Sequence, residues 1–211
     1  MAASSASERE IRELVRAVAA SDAVDGEHGA GIVEEFWIPN AHTRADVASV
    51  GAELCAYEIK SAADTLRRLP AQIESFSRIF DRCTVVLAQR HVEAAEEMLP
   101  TWWGVIEVVD DENGPSLFER KASGDNPSVD LELLVRLLWR REVENVLRAY
   151  GEEPDVKRGR IAMWKQLLSC APGHGIQSAV RDAIARREDT WVGGSGLQRV
   201  ALNCSAVPEP T

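Results

Sequence analysis

An uninterrupted apolar run, CTVVLA from Cys83 to Ala88, restricts how this chain can fold more than any other segment does. A strand with one solvated face alternates apolar and polar side chains. A continuous run rich in β-branched residues is instead typical of a strand that is covered on both faces. Helices have to pack on the two sides of such a sheet. The run therefore predicts an α/β layer architecture.

Hydrophobic periodicity places further elements around this run. Apolar residues at helical spacing predict an amphipathic first helix from Glu8 to Ala20, with Ser7 as its N-cap. A helix is predicted after Lys60, and Pro70 is expected to begin its second segment. A short helix is expected over residues 91–98. Strands are predicted over residues 32–39, 44–50, 54–60, 83–88 and 102–109. This order predicts a mixed sheet flanked by helices.

The chain changes in character after residue 109. Residues 110–128 are polar and rich in glycine and proline, which predicts a connecting loop. Three helical patterns follow within residues 129–192, the first of them running from 129 to 150. Residues 193–211 lack periodicity and are predicted to be loosely ordered. We therefore expect a core over residues 1–109 with a helical C-terminal region appended to it.

Charge and cysteine usage exclude several classes of protein. The net charge of −10 argues against a protein that coats nucleic acid through a broad basic surface, although it allows a local basic groove. The four cysteines are scattered and form no C-x-x-C pair, so neither a disulfide framework nor a structural zinc site is expected. No secretory signal pattern is present, and no run approaches the roughly 20 apolar residues of a membrane span. We expect a soluble, cytoplasmic protein.

Two charged residues in the predicted strand 54–60 raise the question of function. Glu58 and Lys60 are two positions apart, so they point to the same face of a segment that is otherwise apolar enough to be buried. A three-residue hairpin loop at 51–53 would put Asp46 of the preceding strand opposite Glu58 on that face. Two converging carboxylates raise each other's pKa unless a cation lies between them. Mg²⁺ or Mn²⁺ is the expected cation, because these metals prefer hard oxygen ligands.

Lys60 would complete such a centre. Beside a metal, its ammonium group can orient or deprotonate a water molecule and offset the charge of a phosphorane-like transition state, which predicts a phosphodiester-cleaving site. The acid-x-Lys triplet alone is not specific, since residues 119–121 and 155–157 also match it. Only the triplet at 58–60 lies in a predicted strand that pairs with an acid-bearing strand. The alternative interpretation is a surface-facing strand with a structural salt bridge between Glu58 and Lys60.

The segments RADVASV and LCAYEIKS resemble the core of the PD-(D/E)XK nuclease superfamily. The stretch EIKSAADTLRRLPAQIESFSRIFDRCTVV is similar to a small, largely uncharacterised bacterial family of that superfamily. Its members share an R-x-D strand, a G-Y-E-I-K-S-D-x-D-T-L-x-R-L motif, a following glutamine and an F-D-x-x-T-L-V strand. The resemblance is close over residues 32–109, with Ala56 and Ala62 in place of the usual glycine and aspartate. It implies a restriction-endonuclease-like mixed sheet flanked by helices, a helical C-terminal extension, and metal-dependent cleavage of DNA.

The resemblance also implies a role for each candidate residue. Asp46 and Glu58 would hold Mg²⁺ or Mn²⁺, and Lys60 would assist the attack of water. Gln72 matches a glutamine that positions substrate or water in related nucleases. Glu35 matches an acid that often completes the coordination of the metal, and it fits better than its neighbour on the other face of the strand.

Three arginines are candidate contacts to the substrate. Arg44 shares the face of Asp46, and Arg67 and Arg68 lie on the helix after the predicted site, where they could contact phosphates. The alternatives are an ion pair for Arg44 and a solvated helix face for the other two. The expected partner is nucleic acid, with DNA favoured over RNA, and a homodimer or a separate recognition subunit fits the resemblance. The alternative function is a catalytically silent module of the same fold that binds nucleic acid or a partner protein in a regulatory or defence system.

Overall fold

The computed structural model describes residues 6–23, 30–39, 43–112, 114–187 and 198–199, which form an α/β fold around one mixed sheet. The strand order is β6-β5-β4-β3-β2-β1-β7. The pairs β3–β4 and β4–β5 are parallel, and the other neighbours are antiparallel. The predicted fold class, a mixed sheet flanked by helices, is confirmed. The strands are β1 (Gly31–Ile38), β2 (Thr43–Val50), β3 (Leu54–Lys60), β4 (Arg82–Ala88), β5 (Gly104–Asp111), β6 (Gly114–Lys121) and β7 (Gln198–Arg199).

The helices pack on both faces of the sheet. They are α1 (Glu8–Asp22), α2 (Leu69–Phe76), α3 (Val92–Glu96), α4 (Leu131–Leu134), α5 (Arg140–Ala149), α6 (Arg160–Cys170) and α7 (Gly173–Ala185). Ser7 caps α1 as predicted: its hydroxyl accepts from the backbone N–H of Glu10, and the Glu10 carboxylate accepts from the N–H of Ser7. No helix in these described ranges is long and apolar enough to cross a bilayer.

The helix expected directly after Lys60 begins later than predicted. The N–H and the hydroxyl of Ser61 both donate to Asp64 Oδ2, at 2.8 and 2.6 Å, which is only one half of a capping box. The residues that follow form only a turn and a 3₁₀ segment, Leu66–Arg68, before α2 starts. Pro70 lies in the first turn of α2, where its missing N–H has no helical partner to lose.

The two faces of the sheet belong to two hydrophobic clusters. Ile11 and Val15 of α1 cover the face that carries Tyr57 and Ile59. The other face, which carries Ala56, is covered by α2 and by the C-terminal helices. Every residue of β3 is buried. Side chains alternate along a strand, so Glu58 and Lys60 leave β3 on the face of Ala56.

The predicted helical C-terminal region is present, and its helices share the main hydrophobic core with the sheet. Leu147, Leu167 and Val180 are fully buried in the same cluster as Val85 of β4. The charged side chain of Asp81, just before β4, also connects the layers. Its Oδ2 accepts from the N–H of Leu54 at 2.7 Å and from Arg181 of α7 at 2.9 Å. The sheet needs these helices to bury its second face.

The helix predicted over residues 129–150 is broken in the structure. α4 and a 3₁₀ turn end at Leu137, and α5 starts anew at Arg140. Trp139 is the N-cap of α5, with its N–H bonded to Glu142 Oε2 at 2.6 Å. The guanidinium of Arg187 lies over the Trp139 ring, 4.2 Å from its centroid. The local contact with Glu142 and the contact with Arg187 from a distant part of the chain hold the break in place.

The connecting loop predicted at residues 110–128 starts with a strand. β5 continues to Asp111, and β6 pairs with it antiparallel. The side chains of β6 are largely exposed, Phe118 among them, so β6 lacks the buried alternation from which a strand is predicted. Within the predicted tail 193–211, residues 198–199 form β7 against β1, and the remainder lies outside the described residues.

Candidate active site

The strands β2 and β3 separate from each other at the candidate site. The predicted hairpin register is confirmed, and the antiparallel pairing ends at Val47 and Tyr57. Beyond that pair, the backbone of β2 pairs only with β1 and the backbone of β3 only with β4. Asp46 and Glu58 are the next residue of each strand, so they lie where the gap opens. We call the charged residues around this gap the fork site: Glu35, Arg44, Asp46, Glu58 and Lys60.

Asp46 explains why the pairing stops there. Its Oδ2 accepts a hydrogen bond from the backbone N–H of Ile59 at 2.7 Å. A side-chain oxygen thus binds a strand N–H that would otherwise need a backbone partner. The contact holds the carboxylate against β3 and brings its charge close to Glu58. The sequence prediction that the two acids converge agrees with this arrangement.

Glu58 is the centre of the buried part of the fork site. Lys60 Nζ and Gln72 Nε2 both donate to Glu58 Oε1. The side chains of Glu58 and Lys60 are each 3% exposed, so the surface-facing strand considered as an alternative is wrong, although the salt bridge itself is present. Glu58 Oε2 and Gln72 Oε1 are buried and have no hydrogen-bond partner. Buried acceptors in this state cost free energy, and these two oxygens are free to bind a ligand.

The electrostatics of the two acids favour a bound cation. Burial raises the pKa of Glu58 to about 7, assisted by the charge of Asp46 and opposed by Lys60 and Gln72. Burial also raises the pKa of Asp46, while the Ile59 N–H and the charges of Arg12 and Lys60 act in the opposite direction. Both shifts show that negative charge is costly here. A divalent cation between the carboxylates would remove much of that cost.

Arg12 of α1 contacts the fork site, and sequence reasoning missed it. Its Nη1 lies 3.0 Å from Glu35 Oε1, and its Nη2 lies 3.2 Å from Asp46 Oδ1. Nη1 also donates to the backbone oxygen of Asp46 at 2.9 Å. The side chain is 16% exposed. The sequence gives only a weak signal for the role of Arg12: it is a charged residue next to Ile11, which belongs to the apolar stripe of α1.

Glu35 adopts an uncommon backbone conformation for a strand residue. Its φ is +53°, and it is the one non-glycine residue with positive φ among those that the structure describes. Such a conformation costs on the order of 1 kcal/mol and is often found at functional sites. The Glu35 carboxylate contacts Arg12 and also Arg44, whose Nε lies 3.3 Å away. Glu35 thus joins the fork site through arginines.

The predicted set of three acidic ligands is not assembled in this conformation. Across the described ranges, no group of three or more His, Cys, Asp or Glu side chains is arranged to hold a metal ion. Asp46 and Glu58 are the residues that fit a metal, because both are oxygen donors and one buried oxygen of Glu58 lacks a partner. Oxygen ligands of this kind suit Mg²⁺ or Mn²⁺ and do not suit a soft metal. Glu35 is instead bound to Arg12 and Arg44.

The structure places the predicted substrate contacts on two elements, the strand β2 and the 3₁₀ segment before α2. Arg44 is bonded to Glu35 and half exposed at the fork site, so the ion pair considered as an alternative for it is present. Arg67 and Arg68 are exposed in the 3₁₀ segment that leads into α2. α2 is the helix that carries Gln72 to Glu58. Arg67 and Arg68 therefore lie on the protein surface next to α2, the helix that carries Gln72.

Comparison with known proteins identifies the family. The model of the family described as Bacteriophage P4 protein cII matches residues 1–200. The chain belongs to that family. Protein cII of Enterobacteria phage P4 is 35% identical over 78 residues, which are 37% of this chain and 30% of that protein. The alignment therefore spans less than a third of this cII-family relative.

Among solved structures, the protein of unknown function SPO1766 from Silicibacter pomeroyi is similar over 57% of this chain and 71% of its own, at 22% identity and a TM-score of 0.36. These names state no activity. The resemblance of the fork site to a nuclease centre accordingly stays a prediction for this member of the cII family.

Proposed function

We propose that this protein is a metal-dependent nuclease that hydrolyses phosphodiester bonds in DNA at the fork site. The observation that carries the proposal is the unpartnered Oε2 of Glu58, buried beside Asp46, while Lys60 binds the other oxygen of the same carboxylate. A buried carboxylate with one free oxygen and a second acid at close range is suited to a hard divalent cation. Asp46 and Glu58 would hold Mg²⁺ or Mn²⁺.

The neighbouring side chains have complementary roles in this proposal. A bound divalent cation would offset the negative charge of the phosphate and lower the pKa of a bound water molecule. Lys60 stays next to Glu58 and presents an ammonium group where charge builds on the phosphate oxygens. Gln72 holds Glu58 with its amide N–H, and its free Oε1 can accept a hydrogen bond from the attacking water. These groups are fixed by strand β3 and helix α2, so they are positioned before substrate arrives.

The direction of approach for a substrate follows from the exposure of the charged side chains. The exposed fraction falls from 49% at Arg44 through 20% at Asp46 to 3% at Glu58. A phosphate would therefore enter from the side of β1 and β2, past Arg44. Arg67 and Arg68 would contact the DNA backbone beside α2, which supports affinity without reading sequence.

DNA cleavage tests the proposal. Purified full-length protein is incubated with linear, circular and single-stranded DNA in Mg²⁺, in Mn²⁺ and in chelator. We expect cutting in metal that chelator prevents and that Lys60→Met lowers by at least about 100-fold, in line with the loss of a transition-state contact. The matched control is Lys121→Met, because Lys121 ends another acid-x-Lys triplet on an exposed strand. It should cut like the unchanged protein.

Two results would contradict the nuclease proposal. The first is the absence of metal-dependent cutting in a preparation whose circular dichroism shows a folded protein. The second is cutting that survives both Lys60→Met and Asp46→Asn. The first result would support the alternative of a silent module, and the second would place the cutting outside the fork site. In both cases the buried Glu58–Lys60 pair would serve structure alone.

A further inference from the structure

The guanidinium of Arg12 lies in an environment made of oxygen atoms. Besides its contacts with Glu35 and Asp46, its Nη2 lies 2.8 Å from Glu8 Oε1. Carboxylate and backbone carbonyl oxygens are also the ligands that hard divalent cations use. Because the Arg12 side chain is only 16% exposed, its charge has lost most of its water and depends on these oxygens. Arg12 therefore stands at a position that suits a cation.

Charge balance shows what Arg12 does to the fork site. The site with Arg12 contains three acidic and three basic side chains, which are Glu35, Asp46, Glu58, Arg12, Arg44 and Lys60. Their formal charges sum to zero when all are ionised. A divalent cation that enters would meet no net negative charge. If Arg12 leaves, the remaining five side chains carry −1, and the entry of the cation becomes favourable.

Glu8 of the same helix already binds Arg12 and can remain its partner when Arg12 leaves Glu35 and Asp46. Glu8 lies one turn earlier on α1, and its side chain is 57% exposed. Arg12 can swing toward Glu8 and solvent by rotating its side chain, as an i,i+4 pair allows. Ile11 and Val15 can stay buried during this movement, so the hydrophobic contacts of α1 are kept. The exchange needs no movement of the helix.

From these contacts we propose that Arg12 competes with a divalent metal for the fork site and is displaced when the metal binds. It neutralises Asp46 and Glu35 in the metal-free protein, and a divalent metal displaces it toward Glu8. This inference rests on the proposed function, because it takes Asp46 and Glu58 as the metal ligands. It adds a means of regulation, since any partner that draws Arg12 outward would raise the affinity for metal.

Calorimetric titration of the full-length protein with Mn²⁺ alone tests the exchange. We expect Arg12→Met to bind Mn²⁺ about tenfold more tightly than the unchanged protein, which corresponds to removing one competing ion pair. Arg16→Met is the matched control, because Arg16 also lies on α1. Its Nη1 lies 2.8 Å from Glu34 Oε1 on β1, the strand that carries Glu35. Its affinity should match that of the unchanged protein. Glu8→Gln should bind a few-fold more weakly, because the outward position of Arg12 loses its partner.

The titration separates failure of this inference from failure of the proposed function. Binding that Asp46→Asn abolishes, but that Arg12→Met leaves equal or weakens, overturns the displacement of Arg12 and leaves the metal centre standing. Absence of Asp46-dependent binding in both the unchanged protein and Arg12→Met overturns both proposals. Circular dichroism checks that each variant is folded. Arg12→Gln, which keeps a polar group beside Asp46, replaces Arg12→Met if the latter is unfolded and should change the affinity in the same direction.

Discussion

At the scale of single residues, Glu58 has surroundings that disfavour its charged form. It is buried, close to a second acid, and one of its oxygens has no partner. Only Lys60 and Gln72 compensate for the loss of water. A chain that folds around such a group loses stability, and this loss is typical of sites that bind a charged ligand.

The pH dependence of stability should reveal Glu58 in the metal-free protein. Its pKa of about 7 in the folded state exceeds the ordinary value of 4.5, so the native protein holds this proton more tightly than the unfolded chain does. The resulting stabilisation is complete below the ordinary pKa and is lost as the pH rises through about 7. Relative to Glu58→Gln, the free energy of unfolding should therefore fall with rising pH, by on the order of 3 kcal/mol at most.

Urea unfolding of both proteins in chelator, at about pH 5 and about pH 8, measures this difference. Using the glutamine variant as reference isolates Glu58 from other titrating groups, Asp46 among them. A difference in unfolding free energy that stays the same at both pH values would show that Glu58 does not hold its proton more tightly in the folded protein.

The residues of the fork site differ in how far the sequence could reveal them. Glu58, Lys60 and Asp46 lie in one hairpin, so strand alternation and a short loop are enough to bring them together. Arg12 lies 34 positions from Asp46 and meets it only because α1 packs on this part of the sheet. A single sequence contains no rule that fixes where a helix docks. Glu35 was placed by resemblance, and its backbone conformation has no sequence signal.

At the scale of elements, the fork site is held by one helix on each face of the sheet. α1 delivers Arg12 to Asp46, and α2 delivers Gln72 to Glu58. The layers are joined elsewhere by charged contacts as well as by apolar packing. Asp81 is the clearest case, because one carboxylate oxygen binds both the start of β3 and Arg181 of α7.

Removing the Asp81 carboxylate should weaken the contact between the sheet and α7. We expect Asp81→Ala to lower the free energy of unfolding by about 2 kcal/mol, because the N–H of Leu54 and the largely buried Arg181 lose their acceptor. Asp125→Ala is the control: Asp125 also binds an arginine, but its side chain is 83% exposed, so the change should stay within about 0.5 kcal/mol. Urea unfolding measures both, and equal losses would contradict this role of Asp81.

The elements that sequence periodicity predicted correctly are those with a buried face. α1, β3 and β4 have such faces, and each was expected close to its observed bounds. β6 was missed because an exposed edge strand has no hydrophobic alternation to detect. The break between α4 and α5 was missed because it depends on Arg187, which reaches Trp139 and Glu142 through tertiary packing.

At the scale of the whole molecule, the sheet and the C-terminal helices share one hydrophobic cluster. Val33, Phe36 and Val85 of the sheet belong to the same buried set as Leu147 and Val180. Without the helices, one face of the sheet would expose this apolar surface to water. Residues 1–109 and 129–192 therefore share one hydrophobic core.

Truncation tests whether the sheet can fold without the C-terminal helices. A chain that ends after residue 128 lacks α4 to α7 and should not fold cooperatively, because the apolar face that carries Phe36 and Phe80 would lose its cover. Denaturant titration followed by far-ultraviolet circular dichroism is the measurement, with the full-length chain as control. A sharp unfolding transition in the truncated chain would show that the sheet is stable without the helices.

The metal centre itself is tested most directly by where Mn²⁺ binds in a crystal. Anomalous diffraction from crystals of the full-length protein grown with Mn²⁺ locates the ion without any assumption about activity. The account predicts a peak in the fork between β2 and β3, bound by Asp46 and Glu58, with Arg12 turned toward Glu8. Well-ordered crystals at saturating Mn²⁺ that show Arg12 still on Asp46 and no peak at Glu58 would contradict it.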